Sequence, residues 1–259
     1  MLYAEKHEIL FERKGAQSGA AVTVAMTCYK SAELCIEAIE SVFAQTEPHL
    51  NLVILDDCSP DDSAATLCTW LERKSVEERF DHVLLLRHET NQGLAQARNT
   101  GAAAVTTPYI FILDGDNILY PRALSVLRGA IENSGCPMAY CLLEKFGDEE
   151  GIMGNSVWTP EKFAYENYID AMTMLRTDIL SELGGYRALP FSFVGWEDYD
   201  LWCSFVDRGL TGCHVPQILC RYRVRRNSLL RVETSKFLRD NLERVRADFE
   251  KHHSFKFHF

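Results

Sequence analysis

Short apolar segments alternate with longer amphipathic segments through the first half of the chain, and this alternation limits the possible folds more than any other feature. Residues 22–28, 52–55, 83–86 and 109–113 are apolar runs of strand length, whereas 31–43, 61–71 and 93–105 have the spacing of helices. Strands that alternate with helices are typical of βαβ units. The sequence therefore predicts an α/β fold with a mostly parallel, Rossmann-like sheet flanked by helices.

Polar side chains follow three of these apolar runs at the point where each strand ends. The residues concerned are Tyr29, Asp56, Asp57, Asp114 and Asp116. Right-handed crossovers bring the C-terminal ends of parallel strands to one edge of the sheet, and α/β proteins bind ligands there. We therefore expect these side chains to belong to one binding site.

The charge of the chain excludes one class of partner. Its 259 residues include 37 acidic and 27 basic side chains, a formal net charge of −10 with neutral histidines. Apolar residues make up 47%, which is typical of a globular protein with a large core. Nucleic-acid binding needs a cationic face, so we expect no nucleic-acid partner. An anionic ligand would need a cation or a local group of arginines.

Cysteine usage and the absence of an apolar stretch long enough to span a membrane predict a cytoplasmic protein. The nine cysteines contain no Cys-x-x-Cys pair, and several lie within apolar runs, which is typical of reduced, buried thiols. No apolar run approaches the ~18 residues of a membrane span, and the charged first residues are unlike a signal peptide. The eight histidines show no ligand spacing, and we expect His252, His253 and His258 to be solvated.

The second half of the chain is less regular. The pattern predicts strands at 137–143 and 171–175, a loop at 147–160, helices at 177–183 and 197–208, and one long strand or a strand pair at 214–224. Residues 1–20 are polar and predict a lead-in or linker, 21–226 a single domain, and 227–259 a charged helix with a tail. We expect that helix to pack on the domain, although it could lie on a membrane or contact another subunit.

Three acidic clusters, at 56–62, 114–116 and 197–200, allow both functional and structural interpretations. Asp114 and Asp116 could face a divalent cation or a ribose, or they could belong to an ordinary Asp-Gly-Asn turn. Asp57 could accept a ligand N–H, although its neighbours also suit a helix cap. Glu197 and Asp198 could include a general base, but acids are favoured in any first helical turn.

Basic and aromatic residues leave similar alternatives open. Arg98 lies in 91–101, a segment whose helix N-terminus could attract phosphate or could simply pack its alanines. Five arginines lie within 221–231 and could bind a diphosphate or pair with the acidic clusters. The aromatic ring of Trp196 could stack on a sugar or belong to the core.

The ordered set of segments resembles the inverting family 2 glycosyltransferases, which have the GT-A fold. The resemblance covers about residues 20–228, and no single motif carries it. The matching segments are Val22 to Lys30, Ser41 to Thr46 followed by Leu55-Asp56-Asp57-Cys58-Ser59, Asn91 to Gly101 with Arg98-Asn99, Asp114-Gly-Asp116, and Leu183-Gly184-Gly185-Tyr186 followed by Glu197 to Leu201.

The resemblance implies a metal-dependent hexosyl- or N-acetylhexosaminyltransferase that uses a nucleotide-sugar donor, typically a UDP-sugar. The acceptor would be a saccharide or lipid-linked saccharide in polysaccharide or glycoconjugate synthesis, with 21–117 as the nucleotide half and 118–226 as the acceptor half. A peripheral position at the inner membrane face, or other domains of a larger enzyme, would be compatible with it. The implied donor contacts are Thr27, Tyr29, Asp57, Asn91, Gly93, Arg98, Asp114 and Arg225. The other implied roles are Asp116 for Mn²⁺ or Mg²⁺, Asp198 as general base with Glu197 beside it, and Trp196 and Trp158 for the acceptor.

Some positions depart from the family pattern. Thr27 and Lys30 replace the usual Pro and Asn, and Arg225 stands at a histidine that often helps to bind metal or diphosphate. Arginine cannot ligate a cation, so we expect weaker metal binding and direct contact of Arg225 with the diphosphate. The alternative function is a catalytically degenerate domain that binds nucleotide sugar or glycan within a larger synthase. A nucleotidyltransferase is disfavoured, because its Gly-rich, Arg- and Lys-bearing loop is missing.

Overall fold

The computed structural model describes residues 2–15, 19–191, 195–226 and 235–259. Within these residues ten strands form one mixed sheet. They are β1 (His7–Lys14), β2 (Val22–Cys28), β3 (Leu50–Asp56), β4 (His82–His88), β5 (Tyr109–Asp114), β6 (Ile118–Leu119), β7 (Met138–Gly147), β8 (Gly151–Met153), β9 (Met174–Arg176) and β10 (Gly212–Val224).

Helices cover both faces of this sheet. In chain order the described helices are α1 (Ala32–Phe43), α2 (Ser63–Leu71), α3 (Lys74–Arg79), α4 (Leu94–Ala103), α5 (Ala123–Ser134), α6 (Thr177–Leu183), α7 (Glu197–Asp207) and α8 (Ser235–His252), with a 3₁₀ turn at Pro160–Ala164. Helices α1, α2, α4, α6 and α7 lie where the sequence predicts helices, to within a few residues.

The centre of the sheet is parallel, as the alternation of strands and helices predicts. Strands β4, β3, β2 and β5 lie side by side in that order and all run in one direction. Beyond β5 the order continues β9, β7, β10, β6, where β9 is antiparallel to both neighbours and β10 is parallel to β7. The 214–224 segment is one strand with two register shifts, not a strand pair, and the 147–160 loop contains β8.

The polar lead-in predicted at 1–20 is wrong for part of its length, because β1 forms the edge of the sheet. It pairs antiparallel with β4, from His7 opposite His88 to Lys14 opposite His82. Leu10 and Phe11 pack partly against the core, while most of the other side chains face solvent. An edge strand with one wet face needs few apolar residues, so its composition is typical of a linker as well.

Alternate residues of β2 belong to two different hydrophobic cores, one on each face of the sheet. Val24 and Met26 pack in a core with α1, α2 and α5. Ala25 faces a second core, to which α7 contributes Trp202 and α8 contributes Phe249. Helix α5 is not among the elements predicted from the sequence, although Leu124, Leu127 and Ile131 are buried with helical spacing.

The C-terminal helix packs on the domain instead of standing apart from it. Its Val245 and Phe249 are fully buried, and Phe257 of the tail is 2% exposed. The part of the predicted helix at 227–234 lies outside the described residues. Among the described helices, none combines the length and hydropathy that a bilayer-spanning helix needs.

The prediction that His253 is solvated is wrong, because the tail folds back onto α7. Its side chain is 3% exposed and lies 3.0 Å from Asp200 Oδ1 through Nε2 and 2.8 Å from Asp207 Oδ2 through Nδ1. Burial alone would lower the pKa of His253, but the two carboxylates outweigh it and the pKa is raised above its usual value. The imidazolium therefore joins the end of α8 to α7.

We expect His253→Gln to lower the free energy of unfolding by ~1–3 kcal/mol near pH 6, the range for hydrogen bonds to charged groups. Because the folded pKa is raised, this stabilisation is complete below the unfolded value of about 6.5 and is lost as pH rises through the folded pKa. Denaturant unfolding near pH 6 and above pH ~9 measures it. His252→Gln, at an exposed neighbour, is the control. An equal loss at both pH values would contradict the charge contribution.

Candidate functional site

The ends of three parallel strands meet at the sheet edge where the sequence predicts a site. Thr27 at the end of β2 is the register partner of Asp114 in β5, and Cys28 is the partner of Asp56 in β3. Gly115 follows Asp114 in a tight space, since a Cβ there would lie 2.5 Å from Cys35 Sγ and 2.6 Å from the Thr27 carbonyl oxygen. Glycine is therefore required between the two aspartates.

A cleft of about 510 Å³ opens beside this edge and brings together several predicted site residues. It is lined by Arg98, Asp114, Trp196, Glu197 and Asp198. Five carboxyl groups line it, because Glu166 and Asp170 also belong to the wall. Such a concave site with convergent ionisable groups is typical of an active site.

Arg98 is the cation that joins the two sides of the cleft. Its Nη2 donates to Asp114 Oδ1 at 2.6 Å, and its Nη1 donates to Glu197 Oε1. The Arg98 side chain is 4% exposed, so its charge needs these partners. Burial would lower the pKa of Arg98, but Asp114 and Glu197 outweigh it and raise that pKa well above its usual value.

The neighbouring residue, Asn99, fixes the position of the segment before α7. Its Nδ2 donates to the Tyr186 carbonyl and its Oδ1 accepts from the Tyr186 N–H, both at 2.7 Å. Gly185 has φ +78°, and a side chain there would collide with Asn99. The Arg-Asn and Gly-Gly-Tyr segments, far apart in the sequence, therefore form one structural unit.

Asp57, Asn91 and Gly93, three of the predicted donor contacts, contact one another. Asp57 Oδ1 accepts from His88 Nδ1 at 2.7 Å and from the Gln92 N–H at 2.8 Å, while Oδ2 accepts from the Gly93 N–H at 2.8 Å. Asn91 Nδ2 donates to the Asp57 carbonyl at 2.9 Å. This network closes the loop between β4 and α4.

The arginines in and directly after β10 are mostly paired with acids. Arg225 Nη2 donates to Asp116 Oδ2 at 2.7 Å, Arg223 Nη2 to Glu37 Oε2 at 2.5 Å, and Arg221 Nε to Glu144 Oε2 at 2.9 Å. The pairing with acidic residues, one of the two alternatives for 221–231, is therefore present in the structure. Asn227, Ser228 and Arg231 lie outside the described residues.

Whether a divalent cation fits at Asp114 and Asp116 depends on how many of their carboxylate oxygens have no hydrogen-bond partner. Within the described residues no three His, Cys, Asp or Glu side chains converge as a metal-binding group. In that same part of the chain, however, Asp114 Oδ2 and Asp116 Oδ1 accept no hydrogen bond, because Arg98 and Arg225 engage the other oxygen of each carboxylate. Two free carboxylate oxygens fit a hard cation that also takes ligands from a phosphate.

The buried carboxyls of the cleft have raised pKa values. Burial, with the nearby charges of Asp198 and Asp114, raises the pKa of Glu197 to about 7 despite Arg98. Burial also raises the pKa of Asp198, whose Oδ1 accepts from the Tyr199 N–H and whose Oδ2 accepts from Asn167 Nδ2. Burial and the charge of Asp114 raise the pKa of Asp170 to about 8. Asp170 is not among the site residues predicted from the sequence, although a carboxyl within the apolar segment 169–172 is a signal for it.

The predicted aromatic site residues are placed differently from one another. Trp196, with φ +68°, directly precedes α7 and lines the cleft. The centroid of its ring lies 5.4 Å from that of Tyr199. Trp158 packs on Phe163 at 5.1 Å and is not among the described residues that line the cleft. Tyr29 is 40% exposed, and Lys30 Nζ lies 4.8 Å from its ring centroid, also away from the cleft lining.

Comparison with known proteins identifies the family of this site. The sequence profile of Glycosyl transferase family 2 matches residues 23–194, more than half of the chain. The chain belongs to glycosyltransferase family 2. A relative of this family 2 glycosyltransferase is the UDP-Glc:alpha-D-GlcNAc-diphosphoundecaprenol beta-1,3-glucosyltransferase WfgD of Escherichia coli. The two are 25% identical over 213 residues, which are 80% of this chain and 79% of WfgD.

Solved structures show that the fold is GT-A. S. aureus TarS 1–349 in complex with UDP-GlcNAc superposes with a TM-score of 0.67 at 15% identity, over 82% of this chain and 61% of that one. Mannosyltransferase PcManGT from Pyrobaculum calidifontis, in complex with GDP-Man and Mn²⁺, gives 0.63 at 18% identity, over 84% and 61%. The family 2 glycosyltransferase thus spans about three fifths of each of these chains.

We expect Asp57→Asn to lower the free energy of unfolding by ~1–3 kcal/mol, because the amide NH₂ would face a backbone N–H however it is turned. Asp57 is 4% exposed, so water cannot replace the lost acceptor. Denaturant unfolding measures the change. Asp62→Asn, at an exposed aspartate, is the control and should change stability by less than ~0.5 kcal/mol. Equal stability of Asp57→Asn and the wild type would contradict a structural role for this carboxylate.

Proposed function

We propose that this chain is an inverting glycosyltransferase that uses a nucleoside diphosphate sugar, typically a UDP-sugar. It transfers a hexosyl or N-acetylhexosaminyl group to a hydroxyl of a saccharide or lipid-linked saccharide. The observation that carries this proposal is the Arg98 bridge between Asp114 at the strand edge and Glu197 on α7, with Asp198 beside it in the same cleft. This bridge joins the side expected to hold the donor to the side expected to hold the acceptor.

Asp198 is the general base in this proposal. Hydrogen bonds from the Tyr199 N–H and from Asn167 Nδ2 orient its carboxylate at the cleft wall. As the acceptor oxygen attacks the anomeric carbon, its proton passes to Asp198, while the bond to the diphosphate breaks and the diphosphate keeps the electron pair. Attack on the face opposite the leaving group inverts the anomeric centre. A positioned base typically contributes ~10²–10⁴-fold to such a reaction.

Glu197 and Arg98 position the reacting groups. Glu197 is 4% exposed and is held by Arg98, so it can orient a sugar hydroxyl without moving far. Arg98 fixes Asp114 by the same guanidinium and keeps the two walls of the cleft at a constant separation. Such preorganisation places the acceptor oxygen for attack and reduces the entropy cost of the reaction.

Asp114 and Asp116 would hold a divalent cation, Mn²⁺ or Mg²⁺, through the carboxylate oxygens that their arginine partners leave free. When bound, the cation supplies positive charge against the charge that develops on the leaving diphosphate. The complex of PcManGT with Mn²⁺ supports this part of the proposal.

The relatives support the donor and acceptor classes. WfgD is named for a UDP-glucose donor and a GlcNAc-diphosphoundecaprenol acceptor, and TarS was solved with UDP-GlcNAc. By analogy we place this chain in polysaccharide or lipid-linked glycan synthesis, with Trp196 as the aromatic contact for the acceptor. A cytoplasmic location, peripheral at the inner membrane face, stays a prediction from the sequence.

One observation favours a second candidate function, a catalytically degenerate domain that binds nucleotide sugar. The ion pair between Arg225 and Asp116 occupies one oxygen of the carboxylate expected to bind the metal. A thermal-shift screen of nucleotide sugars with and without Mn²⁺, followed by a donor-hydrolysis assay, distinguishes the two candidates. Tight nucleotide binding without any turnover would favour the binding domain.

We expect Asp198→Asn to reduce sugar transfer by ~10²–10⁴-fold, because the amide cannot accept the hydroxyl proton. UDP-sugar affinity should stay within a few-fold of the wild type, since Asp198 lies on the acceptor side. Turnover and calorimetric binding of the donor measure the two effects. Glu166→Gln, an exposed carboxyl at the same cleft wall, is the control. A large loss of donor binding in Asp198→Asn would exclude it as the base.

We also expect the acid limb of the pH–rate profile to lie above the ordinary carboxyl range. The base must be ionised to act, and burial raises the pKa of Asp198. Transfer should therefore fall with decreasing pH while the pH is still above the ordinary carboxyl range of ~4. Measurement of kcat/KM between about pH 5 and pH 9 tests this expectation. A rate that stays constant down to pH ~5 would contradict it.

A further inference from the structure

The ion pair between Arg225 and Asp116 lies where it can dissociate and form again. Arg225 Nη2 lies 2.7 Å from Asp116 Oδ2, with 46% of the Arg225 side chain and 22% of the Asp116 side chain exposed. Water reaches the guanidinium, so Arg225 can leave the pair without becoming a buried charge. The Asp116 carboxylate is mostly buried, so it then needs another cation as its partner.

Arg223, two residues earlier, keeps this part of β10 against the aspartate turn. Its N–H donates to Asn117 Oδ1 and its Nε to the Asp116 carbonyl, both at 2.8 Å. Its guanidinium also pairs with Glu37 and stacks 4.5 Å from the Phe146 ring centroid. These contacts hold the backbone in place, so Arg225 stays within reach of Asp116 even when the ion pair opens.

Each of the two aspartates has an arginine partner before any ligand arrives. Asp114 shares Arg98 of α4 with Glu197, and Asp116 is paired with Arg225, directly after β10. Arg223 in turn is neutralised by Glu37 from α1. A divalent cation that enters alone must therefore compete with a guanidinium for Asp116.

We propose that Arg225 competes with the divalent cation for Asp116, so that the cation binds tightly only together with the nucleoside diphosphate. The inference rests on the proposed function for the identity of that ligand. The diphosphate brings negative charge of its own and offers the guanidinium an alternative partner, which frees Asp116 for the cation. Removal of the guanidinium should then allow the cation to bind without nucleotide.

Thermodynamic linkage means that the coupling between the cation and the diphosphate can be measured by titration of either one. If the diphosphate raises cation affinity by some factor, the cation must raise diphosphate affinity by the same factor. Typical couplings between two bound ligands are about 5–150-fold, and we expect UDP to raise the affinity of the wild-type chain for Mn²⁺ within this range.

The test measures Mn²⁺ binding to the full chain by electron paramagnetic resonance of the free ion, with and without UDP. Arg225→Gln removes the charge but keeps much of the side-chain volume. We expect it to bind Mn²⁺ alone more tightly than the wild type does, by about 5-fold or more, and to show a smaller gain with UDP. Arg221→Gln is the matched control, because Arg221 lies four residues earlier, in β10, and pairs with Glu144 instead. It should keep the wild-type coupling.

Equal affinity of the wild type and Arg225→Gln for Mn²⁺ alone, including no binding by either, would overturn the proposal. This comparison contains no nucleotide, so it remains decisive if the proposed donor is wrong. A separate titration with UDP alone addresses the donor, since a chain that binds no UDP contradicts the proposed function but not the competition. Melting temperatures of the three proteins verify that the half-exposed substitutions leave the fold intact.

Discussion

The buried guanidinium of Arg98 is the interaction on which the rest of the site depends. It lies between a carboxylate at the end of β5 and a carboxylate at the start of α7, and it has almost no contact with water. A buried charge without partners costs several kcal/mol, on the order of 3–5 when one partner is removed, so the two acids must stay where they are. The adjacent Asn99 adds a second connection to the Tyr186 backbone. Helix α4, which carries Arg98 and Asn99, therefore determines the distance between the end of β5 and the start of α7.

The same principle would let an acidic protein bind the anionic donor proposed for it. The acids at the sheet edge are matched by arginines from other elements, Asp56 by Arg87, Asp114 by Arg98 and Asp116 by Arg225. The edge is consequently far less negative than the net charge of −10 implies. At the wall of the cleft, burial raises the pKa of Asp170 to about 8 and also raises that of Asp198. Arginines thus offset negative charge at the strand edge, while burial disfavours it at the cleft wall.

Local sequence patterns predict those strands and helices in which buried positions are apolar and exposed positions are polar. The buried strands β2 to β5 are apolar because both of their faces are covered, and helices such as α1 show the spacing of one apolar face. The same reasoning misses β1, since an edge strand with a wet face has no distinctive composition. It also misplaces His253, whose environment comes from the return of the tail onto α7 rather than from its neighbours in the sequence.

The sequence by itself determined the α/β fold, the parallel centre of the sheet and the acidic residues at the strand ends, because these follow from periodicity and from residue types within short windows. Only the tertiary structure decided which arginine meets which acid. The pairs Arg98 with Glu197, Arg225 with Asp116 and His253 with Asp200 each join segments far apart in the chain. It also decided that Asp170 enters the cleft and that Trp158 does not line it. Such pairings depend on how the sheet and helices pack together, and no local pattern of residues encodes that packing.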